Sequence, residues 1–114
     1  MTKVKFTTDA IHDLEQIGDY IKDTLQNPKA ALSTIGKIKN AVDKLKSFPL
    51  IGKPLVSVAG EETEYRVLVC GNYLTFYRAA EDTVYIDRVL YGKRDYAKIL
   101  FGEIAEDGES EQVT

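Results

Sequence analysis

Apolar positions change period twice along the first fifty residues. Val4-Lys5-Phe6 alternates in the manner of a half-buried strand, and Thr7-Thr8-Asp9 then offers side-chain oxygens to cap a helix. The helix expected over 9–26 carries Ile11, Leu14, Ile17, Ile21 and Leu25, whose spacings of three and four make one apolar stripe. Asn27-Pro28 ends it, because the residue before proline is pushed out of the helical region, and suits the start of the next helix as cap and first residue. That second helix, expected over 28–47, reads Ala31, Ile35, Ile38, Val42 and Leu45 with lysines 37, 39, 44 and 46 between them, and stops at Phe48-Pro49. The two make a helical hairpin.

From Pro49 to Glu64 the pattern breaks into glycine, proline and acidic residues, which predicts a long loop. Period-2 alternation returns in three strands, Tyr65 to Cys70, Tyr73 to Ala79 and Thr83 to Tyr91, joined by turns at Gly71-Asn72 and Glu81-Asp82. Lys93 to Phe101 reads as a short closing helix. The expected fold is α+β in the order β-α-α-β-β-β: a helical hairpin packed on one face of a small antiparallel-rich four-stranded sheet, with a short C-terminal helix and the other sheet face open to a partner. Residues 1–102 form one domain, and 103–114, five acids without a base, are expected to be a mobile acidic tail.

Composition narrows the chemistry. The chain has 114 residues, 44% of them apolar and 29% charged, the balance of an ordinary globular domain. The formal charge of -3 conceals an asymmetry, since without the five acids of the tail thirteen acids face fifteen bases. A single cysteine, Cys70, and a single histidine, His12, leave no disulfide within the chain and no usual zinc or Cys/His site, so no metal and no cofactor is expected. No run of eighteen apolar residues occurs, which predicts a cytoplasmic protein without a membrane partner.

All four arginines, Arg66, Arg78, Arg88 and Arg94, lie beyond position 65, as do five of the seven tyrosines, Tyr73, Tyr77, Tyr85, Tyr91 and Tyr96. In an alternating meander Arg66 and Arg78 fall at one end of the sheet and Arg88 to Arg94 at the other, a basic stripe about 17 Å long. A stripe of that length suits an extended partner, either a polynucleotide backbone or a peptide. The plain alternative is that these arginines pair with Glu61, Glu62, Glu64, Asp87 and Asp95, near them in sequence, as surface charges commonly do.

The order of several short runs carries a resemblance. Val4-Lys5-Phe6-Thr7 with Ala10, Asp13 and Leu14, Tyr20-Ile21, Asn27-Pro28, Phe48-Pro49 with Gly52 and Pro54-Leu55, Tyr65-Arg66-Val67-Leu68, Gly71-Asn72-Tyr73-Leu74, Phe76-Tyr77-Arg78, Val84-Tyr85-Ile86 and Arg88-Val89-Leu90-Tyr91-Gly92-Lys93-Arg94-Asp95 together resemble the RelE/ParE superfamily of toxins. These are the toxins of type II toxin-antitoxin, plasmid stabilisation or addiction-module systems, and the resemblance spans residues 3 to 102.

The resemblance implies a growth-arresting toxin with a cognate antitoxin encoded by a neighbouring gene, and two possible targets. ParE-type members inhibit DNA gyrase by binding, and the runs here are closer to theirs. RelE-type members cleave messenger RNA in the ribosome without a metal, as endoribonucleases. For a ribonuclease the implied catalytic residues are Arg66, Arg94 and Tyr96, although an arginine of the ribonucleases falls on Leu74 and their closing tyrosine falls near Leu100. For target or antitoxin binding the implied residues are Arg66, Tyr73, Tyr77, Arg78, Arg88, Lys93 and Arg94. A third reading is an orphan interaction domain. The antitoxin is expected along the open sheet face, over the arginines.

Overall fold

A computed structural model describes residues 2–56, 59–92, 94 and 96–102. The expected tail at 103–114 and the expected binding residue Lys93 lie outside the described residues. The chain begins with strand β1 (Lys3–Phe6) and helix α1 (Thr8–Asp19). Thr7 caps α1, its hydroxyl accepting from the Ala10 amide at 3.1 Å. One π-helical turn, Tyr20–Thr24, continues α1, and the chain then reverses at Gln26, which has a φ of 51°. Helix α2 (Pro28–Asp43) starts as the sequence predicts, with Asn27 accepting from the Ala30 amide and Pro28 in the first turn. A 3-10 turn, Lys44–Lys46, closes the hairpin.

Four more strands follow: β2 (Lys53–Val56), β3 (Glu62–Cys70), β4 (Tyr73–Ala80) and β5 (Thr83–Tyr91), then helix α3 (Tyr96–Phe101). The sheet order is β1-β5-β4-β3-β2, antiparallel except that β1 runs parallel to β5. The fold class is the one expected, with five strands in place of four. The additional strand is β2, inside the segment expected as a loop. It pairs with β3 by way of Lys53–Val67 and Pro54–Arg66, and Pro54 is tolerated because β2 is an edge strand.

Two clusters divide the apolar residues between the sheet faces. Under the hairpin, Ala10, Ile38, Val42 and Leu45 bury Tyr77, Val84, Ile86 and Val89. On the other face Leu55, Phe76 and Leu90 are covered by Tyr96, Ile99, Leu100 and Phe101 of α3 and its end. The expectation of an open second face is therefore corrected. The closing helix lies on it, since Phe76 and Leu90 would otherwise expose their side chains to water.

Candidate functional site

Cross-strand register decides where the arginines point. Arg66 stands opposite Tyr77 and Arg78 opposite Tyr65, so Arg66 and Arg78 lie one step apart in register. Side chains alternate across a strand, and the two guanidinium groups consequently occupy opposite faces. The single basic stripe expected from the sequence is not formed.

Three of the four arginines have internal partners. Arg66 donates through Nη1 to the carbonyls of Gly52 at 2.9 Å and Leu50 at 3.3 Å. Beside it the Tyr77 ring is fully buried and its hydroxyl accepts from the Gly52 amide at 2.8 Å, so Tyr77, expected on the binding surface, is instead a core residue that holds the 50–52 turn. Arg78 forms a two-point contact with Asp87, with Nη2 to Oδ1 at 3.0 Å, sits 3.6 Å from Glu64 and lies over the Tyr85 ring. The hydrogen bonds it donates to the Asp87 carboxylate raise its already high pKa, so the charge is permanent. Here the ion-pair alternative describes the residue.

Arg88 has a partner far away in sequence. Its Nε and Nη2 donate to the two carboxylate oxygens of Asp13 at 2.7 and 2.8 Å, and the Val89 amide donates to the same carboxylate at 2.9 Å. Asp13 is 4% exposed. Three N–H donors, two of them from a guanidinium whose pKa the pairing raises, compensate its burial. The contact clamps α1 to β5 beyond the end of β1.

Arg94 is different. Among the described residues its guanidinium meets no ionic or hydrogen-bonding partner, and it stands at the mouth of a cleft of about 540 Å³. The cleft lies between the α1 end of the hairpin and the β3–β4 turn, walled by Tyr20, Leu25, Asn72, Tyr73 and Tyr91, with Asp13 among its lining residues. Tyr73 and Tyr91 are register partners and meet edge to face at 5.8 Å. Burial, with the neighbouring Tyr91 and Tyr20, pushes the Tyr73 phenol pKa up, so it is neutral and a hydrogen-bond donor at neutral pH. Aromatic walls beside one unpaired cation suit the binding of an anionic or planar group.

The cleft is poorly equipped for proton transfer. His12 does not line it, and the carboxylate of Asp13 is already engaged by three N–H donors. Arg66 sits at the level of Tyr77, four residues along β4 from Tyr73, or about 13 Å. Tyr96 lies on the other face, its ring 5.3 Å from that of Phe76. The groups Arg66, Arg94 and Tyr96 are thus held in three separate places. Of the expected binding residues, Tyr73 and Arg94 come together at the cleft, while Arg66, Arg78 and Arg88 are each tied elsewhere. Among the described residues no group of three His, Cys, Asp or Glu is placed to hold a metal ion.

Sequence reasoning passed over Tyr20, Tyr91 and Asp13 as site residues. The signal for Asp13 was present: an acid at the helical spacing of Ala10 and Ile17, on the side turned to the core.

Comparison with known proteins agrees with this architecture. A family model, the ParE toxin of the type II toxin-antitoxin system parDE, matches residues 4–96. Y4kP, a candidate toxin of Sinorhizobium fredii, is 30% identical over 100 residues, which cover 86% of this chain and 96% of that protein. Among solved structures, the chromosomal ParDE system from P. aeruginosa superposes with a TM-score of 0.65 at 24% identity, over 80% of this chain and 96% of the other. The RelBE2 toxin-antitoxin complex from Mycobacterium tuberculosis gives 0.57 at 26% identity, over 79% and 96%. YafQ from E. coli gives 0.54 at 15%, over 80% and 93%, a likeness of fold. A family match over most of the chain, carried on the same hairpin-and-sheet fold, assigns the protein: it belongs to the ParE toxin family of type II toxin-antitoxin systems.

Proposed function

We propose that this toxin arrests growth by binding DNA gyrase in the cytoplasm and that it cuts no RNA. One observation carries the reading: the groups that metal-free RNA cleavage would need, Arg66, Arg94 and Tyr96, are separated by the sheet and by about 13 Å along it. A ribonuclease must bring a base and its stabilising cations to one phosphate. A binding inhibitor needs only a preformed surface, and the tyrosine-walled cleft with Arg94 at its mouth provides one. Membership of a toxin-antitoxin family supplies the cognate antitoxin as the neutralising partner, expressed from the adjoining gene.

The test separates binding from catalysis. Purified toxin is expected to inhibit supercoiling by purified gyrase without ribosomes, while primer extension on ribosome-bound messages shows no new ends after induction. New cuts within codons would overturn the reading. Arg94→Ala removes a cation whose guanidinium has no partner among the described residues, so gyrase affinity is expected to fall about tenfold, the loss of one charge-assisted contact, with thermal melting unchanged.

A further inference from the structure

The cleft between the hairpin bend and the β3–β4 turn gathers polar side chains that the fold leaves unused. Among the described residues no hydrogen bond reaches the phenol hydroxyls of Tyr20, Tyr73 and Tyr91, the side-chain amide of Asn72 or the guanidinium of Arg94, and all five residues line the cleft. The phenols stand close enough together that Tyr91 and Tyr20 add to the effect of burial in raising the pKa of Tyr73, which keeps its proton and its capacity to donate. Each of the five is a hydrogen-bond donor, and the carboxylate in the cleft, that of Asp13, is already engaged by Arg88 and the Val89 amide. Such a set calls for an occupant that is rich in acceptors and negatively charged.

The backbone of the walls, by contrast, is closed. The Gly92 amide donates to the Asn72 carbonyl at 2.8 Å, the Arg94 amide to that of Tyr91 at 2.9 Å and the Leu25 amide to that of Tyr20 at 3.2 Å. An extended peptide finds no unpaired ladder to join here. Aromatic surface is offered instead: Tyr20 and Tyr91 are 54% and 42% exposed, so ring as well as hydroxyl is open to an occupant. Tyr20 opens the π-helical turn of the hairpin and Leu25 closes it, and both line the cleft. A turn of this kind is rare and is frequent at functional sites. The volume of about 540 Å³ is that of a site for one small ligand.

We infer that this cleft is a nucleotide-binding site, in which a base lies against the tyrosine rings with its edge toward Asn72 while the phosphate is held by Arg94 and the phenol hydroxyls. Three features specify the ligand. A guanidinium engages two phosphate oxygens at once, and phenol O–H groups supply further donors to the same anion. Tyrosine rings accept any base, because every base has a π-face. The Asn72 amide carries a donor and an acceptor side by side, as the edges of bases do. A free nucleotide and an unpaired nucleotide of a DNA strand present this same chemistry, whereas a base inside a duplex has no free face to offer. The inference deepens the gyrase reading and rests on it only for the setting in which a DNA strand is at hand; the nucleotide is specified by the cleft alone.

The experiment titrates the full-length chain by calorimetry with thymidine monophosphate, thymidine, inorganic phosphate, an oligothymidylate of about ten nucleotides and the same strand in a duplex. The monophosphate is expected to bind at least tenfold more tightly than thymidine or phosphate, because it alone spans both halves of the cleft. Arg94→Ala is expected to remove most of that advantage while thymidine binding stays the same. Tyr20→Ala weakens thymidine and monophosphate alike, and both variants melt as the wild type does, since neither side chain is buried. A single strand that binds at least as tightly as the monophosphate, and tenfold better than the duplex, assigns the site to DNA; a preference for the monophosphate over the strand assigns it to a free nucleotide. Equal binding of all five ligands, no saturation below about 1 mM, or a monophosphate titration that neither variant alters would overturn the site. Gyrase inhibition by a chain that shows none of this binding overturns the nucleotide site and leaves the gyrase reading standing, while nucleotide binding without any effect on gyrase does the reverse.

Discussion

Gly52 shows how a single residue without a side chain can organise a turn. Its amide donates to the Tyr77 hydroxyl, its carbonyl accepts from Arg66, and a Cβ built on it would lie 2.6 Å from that hydroxyl and 2.9 Å from the Val67 carbonyl. No room exists for a methyl group, because one of the obstructing atoms is backbone. Gly52→Ala is therefore expected to destabilise the protein by about 1–3 kcal/mol, the usual penalty of overpacking. Tyr77→Phe keeps the ring and removes only the acceptor, leaving a buried amide unpaired at a cost of about 1–3 kcal/mol. Denaturant unfolding measures both. The sequence announced Gly52 and Tyr77 as members of family-like runs, yet it could not show that they touch, since twenty-five residues separate them. For the same reason Arg66 looked like a surface cation: its partners are carbonyls, and carbonyls are invisible in a residue list.

At the scale of elements, period carried further than local composition. Both helix starts, the three long strands and the turn at Gly71-Asn72 follow from apolar spacing and from Thr7, Asn27 and Pro28. Strand β2 escaped because it has one buried residue, Leu55, in four, begins with lysine and contains proline. An edge strand held chiefly by ladder hydrogen bonds leaves little hydrophobic signature. The bulge between Phe76 and Tyr77 on β4 and its partners on β5 also escaped, and it lets Ile86 and Val89, an odd three residues apart, serve the same face of the sheet. The clamp from α1 to β5 can be tested at this scale. Asp13→Ala strands the Arg88 guanidinium and the Val89 amide together, so about 3 kcal/mol of stability is expected to be lost, as for other buried pairs deprived of one partner. Asp13→Asn retains an acceptor for Val89 and is expected to cost less. Because Asp13 also lines the cleft, both variants are expected to weaken target binding.

For the whole molecule, the buried phenols set an upper pH limit. Burial is the largest cause that raises the pKa of Tyr65, Tyr73 and Tyr77 above the ordinary phenol value of 10.0. In the unfolded chain these groups release their protons from about pH 10, while in the folded chain they hold them to higher pH. The unfolded state then binds fewer protons, so stability declines as pH rises. Stability from these groups is complete below pH 10 and is lost as pH passes through the raised folded values. Thermal melting in a series from pH 8 to pH 11 is expected to be flat up to about 9.5 and to fall beyond it. A triple Tyr→Phe variant, with its independent loss at Tyr77 subtracted, would show a shallower alkaline decline.

The pairing of the first strand with the last has a consequence for synthesis. During translation β1 and the hairpin emerge early, yet their hydrophobic partners Val84, Ile86 and Val89 lie in β5, roughly forty to eighty residues later. Until β5 leaves the ribosome the hairpin lacks three of its four buried partners in the sheet and Asp13 has no Arg88, so the cleft is incomplete on the nascent chain. Contacts this distant in sequence form late and as a unit. The cell thus meets this toxin only after β5 has been made, and an antitoxin already present needs no head start beyond that delay.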